Sequence, residues 1–375
     1  MKTFDLFNNN ELGLYVHIPF CKTICTYCDF PKIIANDCKK EEYITHLIEE
    51  LESYSDKLTK VKTVYIGGGT PNSLTNDQLF RLFSALKPYL EQSKENSIEI
   101  NSELFTKEQA LLFKKFNINR VSIGVQTFND RLIKVINRFH SFNTVKNTID
   151  LLLDEGINNI NIDMIYGLPT QTIDELNKDI DILLGLDIKH ISYYSLILEE
   201  KTILEYQIKN KIIAEPDENV TEEMANIVYN RMKNTKFLQY EISNYALPGY
   251  ESIHNLIYWN HEPYIGIGAR ACGYYNNIRY ENNFVLSKYY EKYVSFEEYI
   301  SIEEAKKEYM MLGLRKIQGI NLSEYFKKFG TKVEDDFDLN RLFELDLIEI
   351  IDDFLRIKED KILLGNQVFM EFVGW

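Results

Sequence analysis

Three cysteines stand within eight residues, Cys21-x-x-x-Cys25-x-x-Cys28, directly after an apolar β-type run. Thiolates are soft ligands, and three at this spacing suit an iron–sulfur cluster or zinc. In a cubane [4Fe–4S] cluster they hold three irons, and the loop offers no fourth cysteine, so one iron stays open to an outside ligand. In a zinc site His17 or Cys38 would complete the tetrahedron. Five cysteines in 375 residues do not make a disulfide framework.

An open iron of that kind can be chelated by the amino and carboxylate groups of S-adenosylmethionine (SAM). One electron from the cluster then cleaves the sulfonium to a 5′-deoxyadenosyl radical. Groups suited to such a ligand recur along the chain. Gly67-Gly68-Gly69-Thr70-Pro71 closes a second β-type run, and successive glycines let backbone approach a ligand. An ordinary tight turn has the same composition. Glu99 and Asn101 close a third run, Gln126 a fourth, and Asp163 lies in a fifth. A carboxylate at Asp163 suits ribose hydroxyls, and Arg138 suits an amino-acid carboxylate. Singly, each also fits a plainer role, as a helix cap or a surface arginine. Together they recur at one end of successive runs, which is where parallel barrels bind ligands.

The elements that must position them follow from periodicity. Strands are expected at 14–18, 64–66, 98–101, 121–125, 160–165 and 191–198, with helices at 41–54, 76–90, 107–116, 143–155 and 172–186. Thr75, Thr106 and Thr172 stand where helix caps belong. This alternation calls for an α/β fold with a parallel sheet, and six units suit a partial (β/α)6 barrel rather than a closed eight-stranded one. Residues 200–295 are less regular, apart from a helix at 218–233. From about Phe296 come two or three helices and a hairpin around Asp352–Asp353, the pattern of a helical, winged-helix-like module. The expected divisions are 1–235 for the barrel, 236–295 for a connecting region and 296–375 for the C-terminal module.

With 42 basic and 57 acidic side chains the net charge is −15. Such a surface repels polyphosphate backbones, so no nucleic-acid partner is expected. The sequence has no apolar run of spanning length and no secretory leader. A cytoplasmic protein with at most peripheral membrane contact is the expectation.

The segments LYVHIPFCKTICTYCDF, YIGGGTP, SIGVQTFND, NRFH and NIDMIYGLPTQT resemble the radical SAM family of oxygen-independent coproporphyrinogen III oxidases and their relatives. The likeness continues through YEISNYALPGYESIHNLIYWN and EYMMLGLRKIQGI. It implies a [4Fe–4S] cluster on Cys21, Cys25 and Cys28. It also implies a SAM pocket lined by Gly68, Gly69, Thr70, Glu99, Gln126, Arg138 and Asp163, with Tyr15 beside cluster and SAM. The oxidases carry a further cysteine two positions after the third and an N-terminal extension. This chain has Phe30 there and reaches its first strand almost at once.

Both departures resemble the heme chaperone branch of the family. That branch implies binding of heme, recipient heme proteins and an electron donor as partners; a homodimer is left open. The branch's heme motif H-N-x-x-Y-W reads His254-Asn255-Leu256-Ile257-Tyr258-Trp259, which makes His254 the expected axial ligand. Without the resemblance, His254 reads as a surface or capping histidine, and Tyr258 and Trp259 as core residues beneath the C-terminal module. Arg270 and Cys272 stand where the branch has glycine and histidine, and a glycine expected near Leu345-Asp346-Leu347 is missing. Cys38 and Cys272 otherwise read as small buried residues. The rival reading is oxidative decarboxylation of coproporphyrinogen III propionates. Behind it stand radical SAM chemistry on another substrate and a structural zinc protein.

Overall fold

A computed structural model describes residues 11–373. The reading of the extreme N-terminus rests on residues 1–10, which lie outside the described residues. Six strands run parallel and adjacent in chain order: β1 (Leu12–Ile18), β2 (Val61–Gly68), β3 (Glu95–Ile100), β4 (Arg120–Gln126), β5 (Asn159–Tyr166) and β6 (His190–Ser195). Between them lie α1 (Asp37–Ser53), α2 (Asn76–Gln92), α3 (Lys107–Lys115), α4 (Asp130–Val135), α5 (Phe142–Asp154) and α6 (Ile173–Leu184). Thr75, Thr106 and Thr172 cap α2, α3 and α6, each accepting a backbone N–H bond.

The strands are two-faced. Leu14, Val16, Val64, Ile66, Ile98, Val121, Ile123, Ile160 and Ile162 all join one continuous core. Each such burial contributes about 1.5–3 kcal/mol, and together they fix the register. The alternate positions are Tyr15 and His17, Thr63 and Tyr65, Ser97 and Glu99, Arg120 and Ser122, Asn161 and Asp163, His190 and Ser192. Buried parallel sheets are ordinarily apolar on both faces. Here the second face is polar and carries the groups of the site.

The less regular stretch adds strands rather than a connector. After α7 (Ile203–Lys209) and α8 (Glu218–Lys233), β8 (Asn244–Ala246) pairs antiparallel with β6, and β7 (Leu238–Glu241) pairs antiparallel with β8 at that edge of the sheet. On the other side, after α9 (Ile253–Trp259), β9 (Tyr264–Ile267) pairs parallel with β1. Then β10 (Cys272–Tyr275), β11 (Ile278–Asn282) and β12 (Val294–Tyr299), with α10 (Leu286–Glu291) between the last two, complete twelve strands in the order β12-β11-β10-β9-β1-β2-β3-β4-β5-β6-β8-β7. The expected strand at 191–198 stops at Ser195, because β5 pairs with it only as far as Tyr166.

A second core holds the C-terminal module. It contains α11 (Ile302–Gly313), α12 (Leu322–Phe329) and a three-stranded sheet in which β15 (Phe354–Ile357) lies between β13 (Ile320–Asn321) and β14 (Ile348–Ile351). The β14–β15 turn places Asp352 and Asp353 at φ of 50° and 68°, as a two-residue hairpin requires. Asp346 adopts a left-handed backbone, φ 58°, near the position where the resemblance led to the expectation of a glycine. Among the described residues no helix is long and apolar enough to cross a membrane.

Candidate functional site

The cysteine loop leaves the carboxyl end of β1 and is clasped at its base. Cys21 N–H donates to Ile33 O (3.0 Å) and Ile33 N–H to Pro19 O (2.7 Å). The glycine turn after β2 docks against the same segment, with Gly69 N–H on Ile18 O and Thr70 N–H on Phe20 O, both 2.8 Å. A Cβ on Gly69 would lie 3.0 Å from Cys21 Sγ. Gly68, at φ 115°, would drive a Cβ to 2.5 Å from the His17 ring. At both positions a side chain would collide with the cysteine loop or the strand before it.

Two of the three thiols are joined by one chain of hydrogen bonds. Thr70 Oγ1 lies 3.5 Å from Cys21 Sγ, and Asn101 Nδ2 donates to Thr70 Oγ1 (3.4 Å). Arg138 Nη2 donates to Asn101 Oδ1 (2.9 Å), and Nη1 lies 3.7 Å from Cys25 Sγ. Arg138 is only 8% exposed, so the surface-arginine alternative falls. The guanidinium also donates to Gly124 O (2.6 Å), which ties the loop to β4. Asn101 is held in turn by a reciprocal backbone pair with the buried Asn72 (2.9 and 3.0 Å). Burial pushes the Cys21 thiol up, and that of Cys28 to about 11. Among the described residues no three His, Cys, Asp or Glu side chains form a group placed to hold a metal ion. The thiols share a loop without being drawn into one ligand set, and neither His17 nor Cys38 joins them. His17 Nδ1 bonds Tyr15 (2.9 Å), and Cys38 is exposed on α1.

The other expected residues meet at this end of the barrel or line its polar face. Glu99 accepts from Gly68 N–H (2.9 Å) and from Tyr65 OH (2.8 Å), and burial raises its carboxyl to about 7. Gln126 has a left-handed backbone, φ 67°, at a register shift between β4 and β5. Its buried Oε1 has no hydrogen-bond partner. A strained amide with an unpaired buried oxygen is the kind of feature that ligand sites retain. Asp163 accepts from Ser122 Oγ (2.7 Å) and Asn161 Nδ2 (2.8 Å), in a network that runs on through His190 to Tyr240. Tyr15 stacks on Tyr65 at 6.1 Å.

His254 is buried, contrary to the surface reading. It is 1% exposed, with Nδ1 on Thr63 Oγ1 (2.7 Å), Nε2 on Tyr258 OH (2.8 Å) and its ring stacked on Tyr65 (5.0 Å). It is not a surface residue, and burial lowers its pKa to about 3. Trp259 takes the joint role: the guanidinium of Arg315 lies between its ring (5.2 Å) and that of Phe369 (4.8 Å). Cys38 and Cys272 are exposed, contrary to the buried reading. Arg270 adopts φ 70° in the glycine's place and pairs with Glu281.

Sequence reasoning noted Asn101 only as a strand end and missed Asn72, Thr63, Tyr65, Ser122 and Asn161. The signal that finds the last four is the alternation itself, which puts polar residues at successive inward positions of β2 (Thr63, Tyr65), β4 (Arg120, Ser122) and β5 (Asn161, Asp163).

Residues 15–183 match the model of the radical SAM superfamily, and residues 300–364 that of the HemN C-terminal domain. Heme chaperone HemW of Lactococcus lactis is 36% identical, the match covering 96% of each chain. Heme chaperone HemW of Bacillus subtilis is also 36% identical, over 96% of this chain and 98% of that one. Coproporphyrinogen III oxidase (HemN) of Escherichia coli, a radical SAM enzyme, superposes with a TM-score of 0.85 over 98% of this chain and 91% of its own, at 20% identity. The fold is thus that of a radical SAM protein with a helical C-terminal domain, and the chain belongs to the heme chaperone HemW family within the radical SAM superfamily.

Proposed function

We propose that this chain binds a [4Fe–4S] cluster, SAM and heme, and hands the heme to other proteins. The observation that carries the heme part is identity of 36% along nearly the whole chain to relatives named heme chaperones. Phe30 stands where the oxidases carry their further cysteine, which sets the decarboxylase reading second.

The residues fit the first two groups. Cys21, Cys25 and Cys28 supply three soft donors on one loop, and the orphaned Gln126 Oε1 and the glycine turn face the same end of the barrel. Bound there, cluster and SAM supply one-electron chemistry at a sulfonium. The Thr70–Asn101–Arg138 chain supports the thiols of Cys21 and Cys25, and the Arg138 guanidinium offers a cation to a carboxylate. Glu99 stiffens the glycine turn through Gly68 N–H and keeps lone pairs for an ammonium group. Gln126 and Asp163 offer acceptors to polar groups of the ligand. Heme is the third group, and both ring nitrogens of His254 are hydrogen-bonded within the protein.

The test is anaerobic reconstitution, followed by two assays on the same sample. With SAM, a reductant and coproporphyrinogen III, no protoporphyrinogen should appear by mass; with heme, the chain should transfer it to an apo heme protein. Sustained conversion of the porphyrinogen overturns the chaperone reading. In parallel, Cys25→Ala should leave iron and sulfide near background while the far-ultraviolet circular dichroism is unchanged.

A further inference from the structure

The three thiols of the cysteine loop meet different donors. Thr70 Oγ1 donates to Cys21 Sγ (3.5 Å), and Arg138 Nη1 to Cys25 Sγ (3.7 Å). Both donors come from outside the loop, Thr70 from the turn after β2 and Arg138 from the segment after α4. Cys25 is also reached by the hydroxyl of Tyr27, and Cys28 by the N–H of Phe30, both on the loop itself.

One amide aims the two outside donors. A guanidinium can only donate, so the group that Arg138 Nη2 meets at 2.9 Å is the oxygen of Asn101, and Asn101 Nδ2 is left for Thr70 Oγ1 (3.4 Å). With Nη2 held by Asn101 and by Gly124 O (2.6 Å), the planar group turns Nη1 toward Cys25. With the Thr70 oxygen accepting from Asn101, its single proton is directed to Cys21. Asn101 is itself fixed from behind. The buried Asn72 bonds both its N–H and its C=O (2.9 and 3.0 Å), and Gln109 of α3 braces Asn72 by donating to its backbone oxygen (3.2 Å). Hydrogen bonds to the ligand sulfurs of an iron–sulfur cluster favour its reduced state, because that state places more negative charge on the sulfurs.

On the reading that Cys21, Cys25 and Cys28 hold the cluster, we infer that Asn101 is a positioning residue for its reduction: it raises the reduction potential by keeping Thr70 on the Cys21 sulfur and Arg138 on the Cys25 sulfur. The electron itself comes from an external reductant. The test is a dithionite titration of the anaerobically reconstituted full chain, without SAM, followed by the electron paramagnetic resonance of the reduced cluster. Asn101→Ala should make reduction roughly tenfold less favourable, a fall in midpoint of about 59 mV, with iron and sulfide content as in wild type. Thr70→Val removes the hydroxyl donor and should lower the midpoint too. Its effect should be smaller when Asn101 is already alanine, because the two residues act in series. A wild-type midpoint in Asn101→Ala overturns the inference. So does full additivity of the two variants, which would mean that Asn101 does not act through Thr70. Should Asn101→Ala take up no cluster, Thr70→Val carries the test, and a wild-type midpoint there overturns the inference. If wild type itself takes up no iron and sulfide, the cluster reading falls and this inference with it.

Discussion

A single side chain, Asn101, connects the supports of two thiols: it donates to Thr70 beside Cys21 and accepts from Arg138 beside Cys25. Its place at a strand end was legible in the sequence; its two partners were not. Conformation at single positions is equally informative. Arg270 and Asp346 adopt left-handed backbones without being glycine, and Arg270 also makes an ion pair with Glu281. His254 shows how a motif residue can be absorbed by packing. Replacing it by alanine removes two buried hydrogen bonds and leaves a cavity beside Tyr65, a loss of about 2–4 kcal/mol. Urea denaturation should show that loss, and undiminished stability would mean that the ring does not hold these bonds.

At the scale of elements, the six strands serve two masters by alternation. Their apolar face seats the helices, and their polar face presents Glu99, Gln126 and Asp163 at or near the strand ends. The β2 turn is the element with least freedom, because Gly68 combines φ 115° with the His17 ring at its back. An alanine there meets backbone strain of about 1–3 kcal/mol and must push His17 or the turn aside. Gly68→Ala is therefore expected to lower thermal stability and to weaken SAM binding at least tenfold, measured by calorimetric titration of reconstituted protein. Wild-type affinity in that variant would remove the glycine turn from the SAM site.

The whole molecule is held together by buried polar bolts as well as by its two cores. Glu50 on α1 accepts from Gly268 N–H (2.7 Å), Asn282 Nδ2 (2.6 Å) and Tyr289 OH (2.5 Å), and so fastens the β9–β12 extension to the barrel. Burial raises its carboxyl from 4.5 to about 7, against those three donors. The folded state thus holds this proton more tightly than the unfolded chain does. Its contribution is complete below about pH 4.5 and is lost as pH rises toward about 7. Glu50→Gln cannot ionise, so the fall in Tm between pH 5 and pH 8 should be smaller in the variant than in wild type. Parallel Tm curves for the two proteins would show that Glu50 does not titrate in this window. Arg315, between Trp259 and Phe369, is the corresponding fastening of the C-terminal module.

The sequence by itself determined what is local. Strand and helix periodicity, the threonine caps, the Asp352–Asp353 hairpin and the cysteine and glycine motifs all depend on neighbours a few residues away, and the elements lie within a few residues of where they were read. The alternation of polar and apolar residues in β1–β6 was equally legible, although it went unread. What only the tertiary structure decided depends on distant partners. Residues 236–295 become sheet strands because the flanks of β1 and β6 need partners, which their own short, Tyr- and Gly-rich runs do not announce. Arg138 is buried because Asn101, Gly124 and Cys25 surround it. His254 is a core residue because α9 packs against β1 and β2. A motif records which residues are kept, but the fold decides which of their atoms remain free for a ligand.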